Sequence, residues 1–208
     1  MKETDWTKYY RNKKSWFSKV TQKVTMRQIK AYYMKYCGPN KSILELGGGN
    51  SCFIDGICKS ICSPSSYSII DNNQLSLSLL RKRNPNCECL CLDLMKNIEP
   101  SKQYDFVYSI GLIEHFSNEN ISKVIKNHFN FCKDDGIVLI SFPTPTLQYR
   151  LIRRGMEWLK IWQFWDETPL TLQQFTNYIW KDVTILEYKL MRLLPLTQTM
   201  CVIKKNNI

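Results

Sequence analysis

The sequence predicts an α/β fold: one mostly parallel sheet with helices on both faces and an antiparallel hairpin at its C-terminal end. Three observations carry this expectation. Five short apolar runs between residues 42 and 142 alternate with stretches of helical spacing. The first four of these runs stop at a glycine or a carboxylate, residues that end a strand in a turn. Two further strand-like runs, 184–192 and 197–205, flank Leu193-Leu194-Pro195-Leu196 and should pair with each other. Strands that alternate with helices of this length imply right-handed βαβ units and a sheet covered on both faces.

In chain order, Thr4 can cap a helix. Trp6, Tyr9, Tyr10, Lys13, Trp16, Phe17, Val20 and Val24 then recur at three- and four-residue spacing. A second helical stretch carries Ile29, Tyr32, Tyr33 and Tyr36 and stops at Cys37-Gly38-Pro39, a terminating signal. Residues 42–46 read as a strand. Residues 51–62 read as a helix with Phe53, Ile54, Ile57 and Ile61 on its face, and 67–70 as a strand ending at Asp71. A helix over 74–83, closed by Asn84-Pro85, leads to a strand over 87–92 that ends at Asp93, and 106–110 is the next strand. A helix over 120–132 and a turn at Asp134-Asp135-Gly136 precede the strand 137–142, and 170–180 looks helical. No repeat or linker divides the chain. Residues 1–208 therefore read as a single domain, with 1–38 as a basic, aromatic helical cap and 143–181 as an insertion on the acceptor side.

The 208 residues, 44% apolar and 23% charged, suffice for a real core. No apolar run is long enough to span a bilayer, and the N-terminus shows no secretory pattern. The nine cysteines lie inside apolar segments, as expected of reduced thiols in a cytoplasmic protein. Cys87, Cys89 and Cys91 fall on one face of a strand, a poor arrangement for tetrahedral zinc. Of the net charge of +11, residues 1–41 hold +9, with eleven basic and two acidic residues. An anionic substrate, a nucleic acid, an acidic membrane surface or a merely solvated face would each account for it.

Ligands of open α/β sheets bind at the carboxyl ends of the strands. Here the first such end gives Glu45, then Gly47, Gly48, Gly49 and Asn50. The second gives Asp71 and Asn72, the third Asp93 and Leu94, and the fourth Ser109, Ile110 and Gly111. Asp71 stands at the spacing from the glycines at which an acid takes ribose hydroxyls. A dinucleotide loop would want a third glycine where Cys52 stands, and Glu45 adds negative charge where a pyrophosphate would have to bind. No phosphate-cradling G-x-x-x-x-G-K-[ST] is present. S-adenosylmethionine fits better, having a sulfonium, an ammonium, a ribose and an adenine but no phosphate.

With "ILELGGGNS", "SIIDNN", "CLDL", "YDFVYSIGLIEHF" and "GIVLISFPTP" in order, the chain resembles the class I S-adenosylmethionine-dependent methyltransferases over about residues 40–145. The resemblance implies a Rossmann-like, seven-stranded sheet. It implies that Glu45 and the glycine backbone hold the methionine end, that Asp71 holds the ribose, that Asp93 and Leu94 hold the adenine, and that 109–111 form the floor near the sulfonium. Ser51 departs from the family's usual third loop glycine.

Methyl transfer is an in-line displacement that needs alignment, and for an oxygen nucleophile a base. His115 is the candidate base; the structural alternative is that it fixes the strand-to-helix turn. Glu114 would orient His115 or bind acceptor hydroxyls, and His128 reads as packing. The "EH" pair is similar to that of ubiquinone-biosynthesis O-methyltransferases, which hold a divalent cation with a further Glu where this chain has Gly111. No metal is therefore expected. The acceptor should meet Tyr149, Arg150, Arg153, Arg154, Trp165 and Asp166, since Arg forks take phosphates or carboxylates and carboxylates take hydroxyls. A small polar, anionic metabolite, such as a phosphorylated or nucleotide-linked sugar bound for a surface glycan, leads. RNA modification and a non-catalytic relative docking on a membrane or partner are the alternatives.

Overall fold

The computed structural model describes residues 4–11, 16–63, 66–192 and 197–206. Helices α1 (Trp6–Arg11) and α2 (Trp16–Tyr36) precede strand β1 (Ile43–Leu46), helix α3 (Ile54–Cys58), strand β2 (Tyr67–Asp71), helix α4 (Gln74–Arg83) and strands β3 (Glu88–Cys91) and β4 (Tyr104–Ile110). After a single 3-10 turn, Ile113–His115, come helix α5 (Asn118–Phe131), strand β5 (Cys132–Pro143), helices α6 (Leu147–Trp158) and α7 (Leu172–Thr176), and strands β6 (Val183–Arg192) and β7 (Thr197–Lys205). The sheet runs β3-β2-β1-β4-β5-β7-β6, with β5-β7 and β7-β6 antiparallel and the remaining pairs parallel. The expected seven-stranded, mostly parallel sheet and its C-terminal antiparallel pair are both present.

Alternation along the strands splits the core into two layers. Leu44, Leu46, Val107 and Val138 face α5 through Ile121, Val124 and Ile125. Ile43, Phe106, Tyr108 and Leu139 face the other way, against Ile29 and Tyr33 of α2, Ile57 of α3 and Leu77 and Leu80 of α4. Fully buried strands of this kind are continuous apolar runs, which is why β1, β2 and β4 were legible as strands.

Several boundaries differ from expectation. The aromatic periodicity at the N-terminus forms two helices, and α2 takes in the second helix read from the sequence. Lys13, residues 193–196 and the side chains of Trp16 and Phe17 lie outside the described residues. The helix expected over 51–62 shrinks to α3, because the Ser51 hydroxyl accepts from the amides of Phe53 and Ile54 (3.1 and 3.3 Å) and delays its start. The turn expected at Asp134-Asp135-Gly136 is extended chain inside β5. Cys132 already pairs with Tyr104, and a register shift before Phe106 absorbs the irregularity. The helix over 170–180 is only α7, started by a capping box in which Thr171 and Gln174 exchange bonds.

Candidate active site

The parallel register brings the carboxyl ends of β1, β2, β3 and β4 to one edge of the sheet: Leu46 lies beside Ile70, and Asp71 beside Cys91. The chain leaves β1 through Gly47 and Gly49, both in the left-handed region (φ 68° and 50°). A Cβ on Gly48 would stand 2.8 Å from the Glu45 carboxyl carbon, so the loop lies directly on that acid. Glu45 is buried and accepts from the Tyr67 hydroxyl at 2.7 Å, and Tyr67 in turn meets the Tyr108 hydroxyl. Burial and the charge of Glu45 push both phenols well above their ordinary range.

Asp71, also buried, accepts from the Asn73 amide at 2.7 Å. Burial raises its pKa, against the pull of the amides of Asn73, Gly49 and Asn72. Asn73 caps α4 through the Ser76 amide, while Asn72 is exposed. Asp93 accepts from the Met95 amide at 2.9 Å beside a buried Leu94. Asp71 and Asp93 form no ion pair among the described residues. The Asn50 amide oxygen is buried without a partner among the described residues. Together these groups form a glycine cradle floored by acids, with one orphaned acceptor. That fits a ligand bearing cationic groups and hydroxyls, such as S-adenosylmethionine, and does not fit a phosphate.

At the end of β4 the Ser109 hydroxyl turns inward and bonds Nε2 of the buried His128 at 2.8 Å. Only the strand-end backbone at Ile110 and Gly111 is left toward the edge. His128 also bonds the Val124 carbonyl, and burial lowers its pKa to about 4, as suits a packed, neutral histidine.

His115 ends the 3-10 turn. Its Nδ1 lies 3.0 Å from Oδ1 of Asp166, which also accepts from the Thr4 hydroxyl. Burial lowers the His115 pKa although Asp166 opposes it, so the ring is neutral at pH 7. Its Nε2 has no hydrogen bond among the described residues. Trp6 stands edge-on to the imidazole at 4.9 Å between ring centres, with Phe164 at 6.0 Å. The carboxylate that orients His115 is therefore Asp166, a correction to the orienting role read for Glu114. Glu114 is buried with Oε2 unpartnered, and burial together with Glu167 and Asp166 raises its pKa well above the usual carboxylate range.

Tyr149 is buried and donates to Glu167, whose pKa burial lifts to about 7. Arg153 bonds the Tyr149 hydroxyl, the Glu167 carbonyl and the Glu157 carboxylate. Arg150 and Arg154 are exposed, and their guanidinium groups have no hydrogen-bond or ion-pair partner among the described residues. With Arg153, Tyr149 and Glu157 they line an open groove of about 610 Å³. Trp165 is half-buried. One donor atom each of Glu114, His115 and Glu167 lies within 4.8 Å of the others, so these three could hold a cation. The spacing argument that set a metal aside at Gly111 did not include Glu167.

Sequence reasoning missed the roof. Helix α1 lies over the site, with Trp6 on His115 and Thr7 bonded to Asn73. A Cβ on Gly49 would overlap the Tyr10 ring. Gly49→Ala should therefore lower the unfolding free energy by about 1–2 kcal/mol through its left-handed backbone alone. Chemical denaturation measures this, and an unchanged midpoint would contradict the tight loop.

A family described as "Methyltransferase domain" matches residues 19–177. With this fold and site, the chain belongs to that family: it is a class I S-adenosylmethionine-dependent methyltransferase, and its cofactor is S-adenosylmethionine. Among solved structures it is similar to the magnesium protoporphyrin IX methyltransferase of Synechocystis PCC 6803 with bound SAH. That match has a TM-score of 0.73 at 12% identity over 97% of this chain and 93% of that one. It is also similar to the N-methyltransferase NodS of Bradyrhizobium japonicum WM9, with a TM-score of 0.65 at 11% identity over 89% and 97%. The plantazolicin methyltransferase in complex with SAH gives 0.68 at 16% identity over 90% and 84%. No curated protein sequence matches. Among the described residues no helix is long and apolar enough to cross a membrane.

Proposed function

We propose that the protein methylates a hydroxyl of a small, polar, anionic acceptor, with His115 as general base. One observation carries this reading: an imidazole held at Nδ1 by Asp166 keeps its Nε2 without a hydrogen bond among the described residues, on the turn that follows β4. When bound, the cofactor supplies an electrophilic methyl group on a sulfonium. Glu45 with the glycine loop would hold its methionine end, Asp71 its ribose and Asp93 its adenine. His115 Nε2 would take the proton of the acceptor hydroxyl and Asp166 would stabilise the resulting imidazolium, while the sulfonium–methyl bond would break as the oxygen–methyl bond forms and the donor would leave as a neutral thioether. The rings of Trp6 and Phe164 around His115 exclude water from that proton transfer. The arginines of the α6 groove supply the anion-binding side, the feature that favours a phosphorylated or nucleotide-linked sugar among polar metabolites.

Trp6, Tyr9 and Tyr10, the rings that could have stacked on RNA bases, pack on one another and around His115 and Phe164. That favours a small acceptor over RNA. The test is to incubate the protein with methyl-labelled cofactor and cell extract fractionated by charge, and to locate the label by mass spectrometry. The expected product is an O-methylated anionic small molecule. Label on nitrogen, on carbon or in RNA would overturn the reading. Turnover should also survive a chelator; its loss, restored by a divalent ion, would transfer the role to a cation held by Glu114, His115 and Glu167.

A further inference from the structure

We infer that α6 and the turn after it form a docking surface for an anionic lipid bilayer. The helix is anchored from one side only. Tyr149 is buried, and Arg153 is held by Glu157, Glu167 and the Trp162 ring, 5.3 Å from its guanidinium. On the opposite side, Leu147, Leu151 and Trp158 follow one another at four- and seven-residue spacing, which puts them on a single ridge. All three face solvent, with exposures of 74%, 62% and 82%. Leu159 and Ile161 continue the exposed apolar surface beyond the helix end.

Five large apolar side chains exposed on one helix and the turn after it exceed the single, scattered exposures of an ordinary surface and point to an interaction site. Its flanks say what it meets. Arg150 and Arg154 border the ridge, their guanidinium groups have no partner among the described residues, and exposed Lys160 follows Trp158 and Leu159. The one acid on the helix, Glu157, is engaged by Arg153. A convex ridge of Leu and Trp with unneutralised cations beside it suits an interface where acyl chains lie beneath anionic headgroups. The net charge of +11 adds to that attraction. The helix would lie in the plane of the interface along its length of roughly 18 Å, its buried side still closing on the site. The surface shares Leu147, Arg150 and Arg154 with the rim of the groove proposed for the acceptor, and the vesicle test, run without cofactor or acceptor, reads the surface alone.

The test is sedimentation of the full chain, without cofactor, with vesicles of phosphatidylcholine alone or mixed equally with phosphatidylglycerol. Binding is expected with the mixed vesicles, weaker with phosphatidylcholine alone and weakened further by salt. Trp158→Ala should lower the partition coefficient by about tenfold or more. Because Trp158 is exposed, the variant should keep the wild-type melting temperature, which is measured in parallel. An Arg150→Gln/Arg154→Gln pair should abolish the preference for the anionic vesicles. Absence of binding to either vesicle, or equal binding by Trp158→Ala, would overturn the inference. So would a dimer, seen by analytical ultracentrifugation, that Trp158→Ala dissociates without any vesicle binding.

Discussion

Asp71→Ala is expected to weaken S-adenosylmethionine binding by about a hundredfold or more, the loss of two hydroxyl-to-carboxylate hydrogen bonds in a dry pocket. The carboxylate has two jobs that the experiment must separate. One oxygen holds the turn into α4 by accepting from the Asn73 amide at 2.7 Å. The proposed second job is to take the ribose hydroxyls. Asp71→Asn keeps an acceptor for the turn yet removes the charge and one of the two acceptor oxygens. It should therefore melt like the parent while still losing most of the affinity. Titration calorimetry with the cofactor, beside a thermal melt, reads both. Full affinity in Asp71→Asn would end the ribose assignment. A loss confined to variants that melt early would make Asp71 a residue of the turn alone.

That prediction could be framed from the sequence because strand-end chemistry is local. A buried strand is a run of apolar residues, its end is a glycine or an acid, and the parallel register does the rest: Asp71, the glycine loop and Asp93 reach one edge without any further information. What was not legible is long-range. Thr4 meets Asp166 across more than 160 positions, and Trp6 reaches His115. The periodicity that marked Trp6, Tyr9 and Tyr10 as one helix face gave no hint of where that face would be set. Asp166 itself was visible as a polar residue after an aromatic run, but not as the partner of His115. Glu114 looked the better partner only because it is adjacent in sequence. On the 3-10 turn its side chain packs against Gly111 instead, where a Cβ would stand 3.3 Å from its Oε1. Glu167 reads in the sequence only as a second acid beside Asp166, a carboxylate for acceptor hydroxyls. Its character comes from burial and from Tyr149, reached from the previous helix. The short helices α3 and α7 follow the same rule: side-chain hydrogen bonds at their ends, not their apolar spacing, set their lengths.

The second large effect falls on the pair His115 and Asp166. His115→Ala should lower turnover by about a hundredfold to ten-thousandfold, the usual worth of a positioned base, with cofactor affinity unchanged. Asp166→Asn is the sharper variant. Its amide can donate to Nδ1, which would place the imidazole proton on Nε2 and leave no lone pair for the acceptor hydroxyl. A loss comparable to that of His115→Ala is expected although the ring stays in place. The pH profile separates a base from a structural histidine. Burial lowers the His115 pKa and Asp166 raises it, with burial prevailing. The acid limb of turnover should therefore lie below the ordinary histidine value of about 6.5. Removing the Asp166 charge takes away the raising influence, so whatever activity remains in Asp166→Ala should show its acid limb at still lower pH. In His115→Ala that limb should vanish. A His115→Ala enzyme with parental turnover, or one that keeps the parental acid limb, would leave the imidazole as a support for the strand-to-helix turn and return the search for the base to Glu167 and Glu114.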